Sequence, residues 1–307
     1  MSGILTKIHQ QFMASKDVVS FIKLFSVVTW EKIAFVRRQK GLKFHEVTAT
    51  QNLLFQFRLL AEANPSGVIM YEADSEKTNG NDIELYIKIN GRYIFFACQA
   101  KIVYDKSSAR RPDTYDSIKH LINKKTPNPE EQIESLLRYA KRKGGIPIYL
   151  FYNYCADQKT VNDIVQSSSE NIEVYGCSYV DARSLIGNYY SINDWHTIPT
   201  FRSLHIQQAK PFYKLFETME LSDTSINLRD MLRSANLENT DDNLTQYERP
   251  FDEDGNNWVS TNEALPRRQK SRKKSQEGTE DAGFAPRYRL VINDLQIDSP
   301  LAQWLFL

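Results

Sequence analysis

Residues 81–101 read NDIELYIKINGRYIFFACQAK. Two runs suited to a sheet flank Asn90-Gly91, a dipeptide that favours a two-residue hairpin because both positions accept positive φ. The first run, 82–89, carries Ile83, Leu85, Ile87 and Ile89 on one face and charge on the other. The second, 92–101, is apolar on both faces, which places it inside a sheet. A turn fixed at 90–91 also fixes the register, since residues equidistant from it lie opposite each other. Asp82 therefore falls roughly opposite Gln99. Gln99 and Lys101 share a face, because side chains alternate with period two. A carboxylate, an amide oxygen and an ammonium thus close an apolar hairpin, and polar groups in such a place are costly unless they have a task.

The surroundings predict what carries this hairpin. Residues 4–38 read as two helices broken near Ser15-Lys16-Asp17, and 46–63 as a helix with a stripe at Leu53, Leu54, Phe57, Leu59 and Leu60, stopped by Asn64-Pro65-Ser66-Gly67. Residues 67–73 form a strand before the hairpin. After it, 129–143 form a helix with Pro129 and two glutamates at its start and Lys141, Arg142 and Lys143 at its end. Strands follow at 146–152 and 172–180, and a last one at 287–296. The order is helix, three strands, helix, strand: an α/β fold with helices on the faces of a mixed sheet. Three parts are expected: an N-terminal helical segment over 1–44, a core domain over 45–200, and a C-terminal extension over 201–307 that is flexible across 220–285, where acidic, amide and hydroxyl residues dominate.

Composition excludes several classes. A net charge of +1 over 307 residues rules out a general polycation. Three cysteines, Cys98, Cys155 and Cys177, show no metal-ligand spacing and make no disulfide framework; they read as reduced core residues of a cytoplasmic protein. The apolar stretch 18–36 is interrupted by Lys23, Glu31 and Lys32, so it reads as a packed helix and not a membrane span. The five histidines lack any metal-binding pattern, and no phosphate-binding glycine loop is present.

The chemistry of the hairpin end is that of hard oxygen ligands beside a lysine. A carboxylate and a carbonyl oxygen suit Mg²⁺, with Mn²⁺ as a substitute, and such an ion polarises phosphate and acidifies water. The order of elements, with Asp82 followed after sixteen residues by Gln99-Ala100-Lys101, resembles the PD-(D/E)XK restriction-endonuclease-like superfamily, in its QxK (Mrr-like) variant. The runs NGNDIELYI, CQAK and EEQIESLLRYAKRKGGIPIYLFYN also resemble a family of uncharacterised bacterial proteins described as restriction-endonuclease-like. The resemblance covers roughly residues 45–200 and implies an αβββαβ core. It implies Asp82 as the metal-binding acid, Gln99 in the second acidic position and Lys101 as the catalytic lysine. Glu46, at the start of the preceding helix, and Glu84, two residues along from Asp82, are the alternatives that complete the metal set. Gln132 on the following helix lines the site. The usual Pro-Asp is Asn81-Asp82 here, and Gln99 brings no charge, which lowers metal affinity unless Glu46 or Glu84 compensates.

The implied activity is Mg²⁺-dependent hydrolysis of phosphodiesters, of DNA, in bacterial defence against foreign or phage DNA. From 101 to 145 there are eleven Lys or Arg against six Asp or Glu, so basic charge concentrates directly after the site. Lys106, Arg110, Arg111, Lys124, Lys125, Gln132 and Arg138 are the expected nucleic-acid contacts, and RRQKSRKK at 267–274 is a separate basic arm. A homodimer would suit cutting of both strands, and the C-terminal region would dock a partner protein. The alternative is a catalytically silent binding or assembly module, or an effector that cuts only with a partner or ligand. Gln208-Ala209-Lys210 repeats the tripeptide but follows FRSLHIQ, which is no central strand.

Overall fold

The structure is a computed structural model that describes residues 12, 14–73, 83–104, 113–122, 129–191, 194–220, 228–237, 244–250, 258–260, 286 and 288–297. Asn90 and Gly91 both adopt positive φ, 50° and 79°, and turn strand β2 (Ile83–Ile89) into β3 (Arg92–Ile102). Both strands are buried almost throughout. The charged face of β2 is therefore covered at Glu84, with only Lys88 open to water, because helices lie on both sides of the sheet.

Eight strands form that sheet. Besides β2 and β3 it contains β1 (Val68–Ala73), β6 (Ile146–Tyr152), β7 (Cys177–Asp181), β10 (Lys210–Pro211), β11 (Trp258–Ser260) and β12 (Tyr288–Ile292), in the order β10-β7-β6-β3-β2-β12-β1-β11. It is mixed: β3 runs parallel to β6, β2 runs parallel to β12, and the other neighbours are antiparallel. Short pairs β4 (Leu121–Ile122) with β5 (Glu130–Glu131), and β8 (Tyr190–Ser191) with β9 (Asp194–Trp195), stand apart from it.

Helix α1 (Val18–Arg37) is capped by Asp17, whose carboxylate accepts from the Ser20 N–H. It crosses the 3₁₀ turn Ile172–Gly176 at very short range. A Cβ on Gly176 would stand 2.0 Å from the Ser26 carbonyl oxygen and 2.6 Å from the Trp30 nitrogen. That close approach explains why 172–176 is not strand, and why β7 begins only at Cys177. Helix α2 (Glu46–Ala63) starts and stops where the sequence pattern predicts, and it packs on β1 and β3. Helix α3 (Gln132–Arg142) covers the opposite face of β3 and β6. Helices α4 (Gln158–Ser168), α5 (Phe201–Gln207), α6 (Tyr213–Glu220) and α7 (Leu228–Ser234) gather at the β7–β10 edge. No helix among the described residues is long and apolar enough to cross a membrane.

The C-terminal region does more than extend the domain. β12 lies between β2 and β1, so β1 and β11 join the sheet only through residues 288–292. Its burial is complete, as its apolar run Leu290-Val291-Ile292 requires. Within 220–285 a helix, α7, and a strand, β11, are formed; 221–227, 238–243, 251–257 and 261–285, with the basic arm at 267–274, lie outside the described residues.

β12 is held by a buried ion cluster as well as by its ladder. Glu84 on β2 faces Arg289 on β12, and both are fully buried. The Arg289 Nε donates to Glu84 Oε2 at 2.6 Å, while Lys143 Nζ, at 3.0 Å, and the Tyr139 hydroxyl donate to Oε1. One carboxylate thus serves two cations from a helix and a strand. Removing it strands both in low dielectric. Glu84→Gln is expected to lower unfolding free energy by about 3–5 kcal/mol in urea titrations. Adding Arg289→Met should recover part of that loss. Additive losses would show that the two residues do not act as a unit.

Candidate functional site

The C-terminal ends of β3 and β6 lie side by side, because the two strands are parallel. Crevices at such strand ends are where open α/β sheets bind ligands. Gln99 and Lys101 point to one face of β3, the face that α3 covers, and Ala100 and Ile102 point to the other. Lys101 is only 3% exposed, and its Nζ donates to Gln132 Oε1 at 2.7 Å. Gln132 is the first residue of α3, so that contact ties the helix start to the strand end.

Gln99 is 2% exposed, and its Oε1 has no hydrogen-bond partner among the described residues. A buried acceptor left in that state costs about 1–3 kcal/mol. It is tolerated where a ligand or ion completes the shell.

Glu46 is brought to the same edge from the other side, as the first residue of α2. Burial pushes its pKa up; the Lys101 ammonium and the Ser117 hydroxyl beside it hold the rise back. Tyr104 completes the surround. Burial and then the Glu46 charge raise its phenol pKa. Sequence reasoning singled out neither Ser117 nor Tyr104, and nothing in their spacing marks them.

The structure separates Glu84 from this group. Glu84 shares the face of Gln99 and Lys101, since it pairs with Ala97. Its carboxylate, however, is turned to Tyr139 and Lys143 at the far end of α3, about 16 Å along the helix from Gln132 at 1.5 Å per residue. Both of its oxygens are engaged by cations. Of the two candidate completing acids, Glu46 is the one beside Lys101. Asp82 lies outside the described residues; its neighbour Ile83 stands opposite Cys98, one residue before Gln99. Among the described residues no group of three His, Cys, Asp or Glu side chains could hold a metal ion.

The basic segment divides in a similar way. Lys143 is spent inside the core, and Arg138, 65% exposed, is paired with Glu130. Lys106, Arg110, Arg111, Lys124 and Lys125 lie outside the described residues. Arg37, at the end of α1, was not anticipated: it donates to the carbonyls of Val103 and Tyr154, each at 3.0 Å, and to Asp113 at 3.2 Å. It thereby ties together the exits of β3 and β6 next to Lys101. The Gln208-Lys210 repeat follows helix α5, not a strand, and has no such setting.

Fold and site define a mixed α/β protein with a polar cluster at the end of a central strand. Over residues 18–291 the chain matches a family of unknown function, DUF6615, and it belongs to that family. No curated protein and no solved structure matches it.

The raised pKa of Glu46 has a thermodynamic consequence. The folded protein keeps a proton on Glu46 that the unfolded chain has already lost, so this residue's contribution to stability falls as pH rises from the ordinary carboxylate range through the raised pKa. Glu46→Gln removes that penalty. With EDTA present, the variant should melt roughly 2 °C above the wild type at about pH 8, with the gap closing near pH 4. A gap independent of pH would mean that Glu46 does not titrate with the fold.

Proposed function

We propose that this protein is a metal-dependent nuclease of the restriction-endonuclease-like class, acting on DNA from a cytoplasmic location. The observation that carries the reading is the buried, unpartnered Oε1 of Gln99 on the same face of β3 as Lys101, whose charge acts on the Glu46 carboxylate at that strand edge. The donor set fits a hard divalent cation: a carbonyl oxygen, a carboxylate, and Asp82 as the further acid. Mg²⁺ held there would polarise a phosphate oxygen and acidify a bound water. Mn²⁺ has the same ligand preference.

The chain's own residues supply the rest. Lys101 carries positive charge to where the phosphorane forms and hydrogen-bonds the attacking water. The Gln132 amide oxygen keeps that ammonium aimed while the site is empty of substrate. Glu46, as an anion, balances the lysine and contributes a ligand oxygen. Because its pKa is raised, cutting should weaken on acidification sooner than an ordinary carboxylate would require. The biological role in defence, a dimeric state and a docked partner protein belong to the same proposal and follow from the resemblance alone.

The alternative is a silent nucleic-acid-binding or assembly module. Plasmid cleavage separates the two. The nuclease reading expects cutting in Mg²⁺ or Mn²⁺, none in EDTA, and a loss of at least about 100-fold in Lys101→Ala and in Gln99→Ala. Metal-independent cutting, or equal activity in both variants, would reject the assigned site.

A further inference from the structure

Residues 38–45, RQKGLKFH, join α1 to α2. Both ends of that loop are fixed at the candidate site. Arg37, just before it, donates to the carbonyl of Val103, two residues beyond Lys101. Glu46, just after it, is close enough for the Lys101 charge to act on its carboxyl. The loop therefore starts and ends at the strand exit that carries Lys101.

No acid stands between Glu31 and Glu46, but five cations do: Lys32, Arg37, Arg38, Lys40 and Lys43. Two of them are engaged. Lys32 Nζ donates to Asn52 Oδ1 on α2 at 3.0 Å, and Arg37 pairs with Asp113. Arg38, Lys40 and Lys43 are exposed, and none has a carboxylate partner among the described residues. Three such charges are a strong local excess in a chain whose total is +1. Cations at a helix end often do no more than complement its dipole. Arg38, at the C-cap of α1, fits that description. Lys40 and Lys43 do not, because they lie beyond the last turn, on either side of Gly41. Gly41 turns the chain with φ 88°, and a Cβ there would meet nothing within 4 Å, so the approach is open.

Unpaired, exposed cations in series suit a polyanion, since each phosphate they neutralise releases counterions. A bilayer surface fits less well. Leu42, 55% exposed, is the one strongly exposed apolar side chain of the loop, and lasting membrane attachment needs more than that. We infer that loop 38–45 is a nucleic-acid backbone contact, in which Arg38, Lys40 and Lys43 hold the phosphodiester strand that leads to the site at Lys101. The inference rests on the nucleic-acid part of the reading above and does not require cleavage.

Fluorescence anisotropy with a labelled DNA duplex and with one of its strands, in EDTA, tests it on the full chain. Saturable binding is expected for both probes. Lys40→Gln with Lys43→Gln should weaken it at least about tenfold at roughly 0.1 M salt, and should make log affinity against log salt shallower by about 2 for the duplex. Both side chains are exposed, so the melting temperature should not move. Lys40→Arg with Lys43→Arg should keep the affinity and the slope. Lys88→Gln with Arg92→Gln removes two exposed charges beside the Asn90-Gly91 turn, at the other end of the hairpin, and should change neither. Unaltered binding without Lys40 and Lys43 would overturn the inference while leaving the nuclease reading to the plasmid assay. An equal loss in the Lys88 and Arg92 pair would also overturn it, because only overall charge would then count. So would no binding of either probe by the wild type, or tighter, Lys40- and Lys43-dependent binding to phosphatidylserine vesicles. Loop-dependent DNA binding with no cleavage in Mg²⁺ or Mn²⁺ would uphold the inference and reject the nuclease reading.

Discussion

The buried Glu84 carboxylate is the constraint on which the sheet depends. It binds Arg289 on one oxygen and Lys143 with Tyr139 on the other. Arg289 comes from the last strand and Lys143 from the end of α3, so a single anion fixes a β-strand and a helix against β2. A buried pair need not add net stability, because desolvation offsets much of the Coulomb gain. What it supplies here is register. A one-residue slip of β12 would turn Arg289 to the other face and leave its charge buried away from Glu84. The ring of Tyr86, with the Arg289 guanidinium 5.2 Å from its centroid, further restricts that side chain.

This arrangement decides the placing of the candidate site. Glu84 anchors the C-terminal end of α3 mid-sheet, and the helix then runs outward along β3 until Gln132 meets Lys101. Arg37 fixes the strand exits from the other direction through Val103 and Tyr154. Gln99 and Lys101 are therefore set on rigid elements, with supporting contacts on each side, as precise chemistry requires. The Gln99 amide oxygen is one of several buried side-chain atoms without a hydrogen-bond partner among the described residues, and it is the one that lies on the same face of β3 as Lys101.

Local signals made much of the molecule legible in the sequence. Asn90-Gly91 specified the hairpin and, through it, the shared face of Gln99 and Lys101. Asn64-Pro65-Ser66-Gly67 marked the end of α2, and the helix start marked Glu46. What was not legible is long-range. Glu84 and Arg289 are 205 positions apart, and nothing near either one announces the other. For that reason Glu84 read as a metal ligand when its oxygens are taken, and residues 288–292 read as the end of an extension when they stand inside the sheet. The run 172–180 read as one strand because its side chains are strand-like. The backbone of α1 at Ser26 and Trp30 demands a glycine contact there instead. Ser117 and Tyr104 join the site only through folding of the segment after β3.

The central claim is that the free Gln99 oxygen is a ligand atom awaiting a divalent cation. Anomalous scattering from crystals grown with Mn²⁺ tests it most directly. The account expects an anomalous peak about 2.0–2.4 Å from Gln99 Oε1, with a Glu46 oxygen in the same coordination shell. A peak elsewhere, or no peak with the Gln99 amide bonded to another protein group, would contradict it.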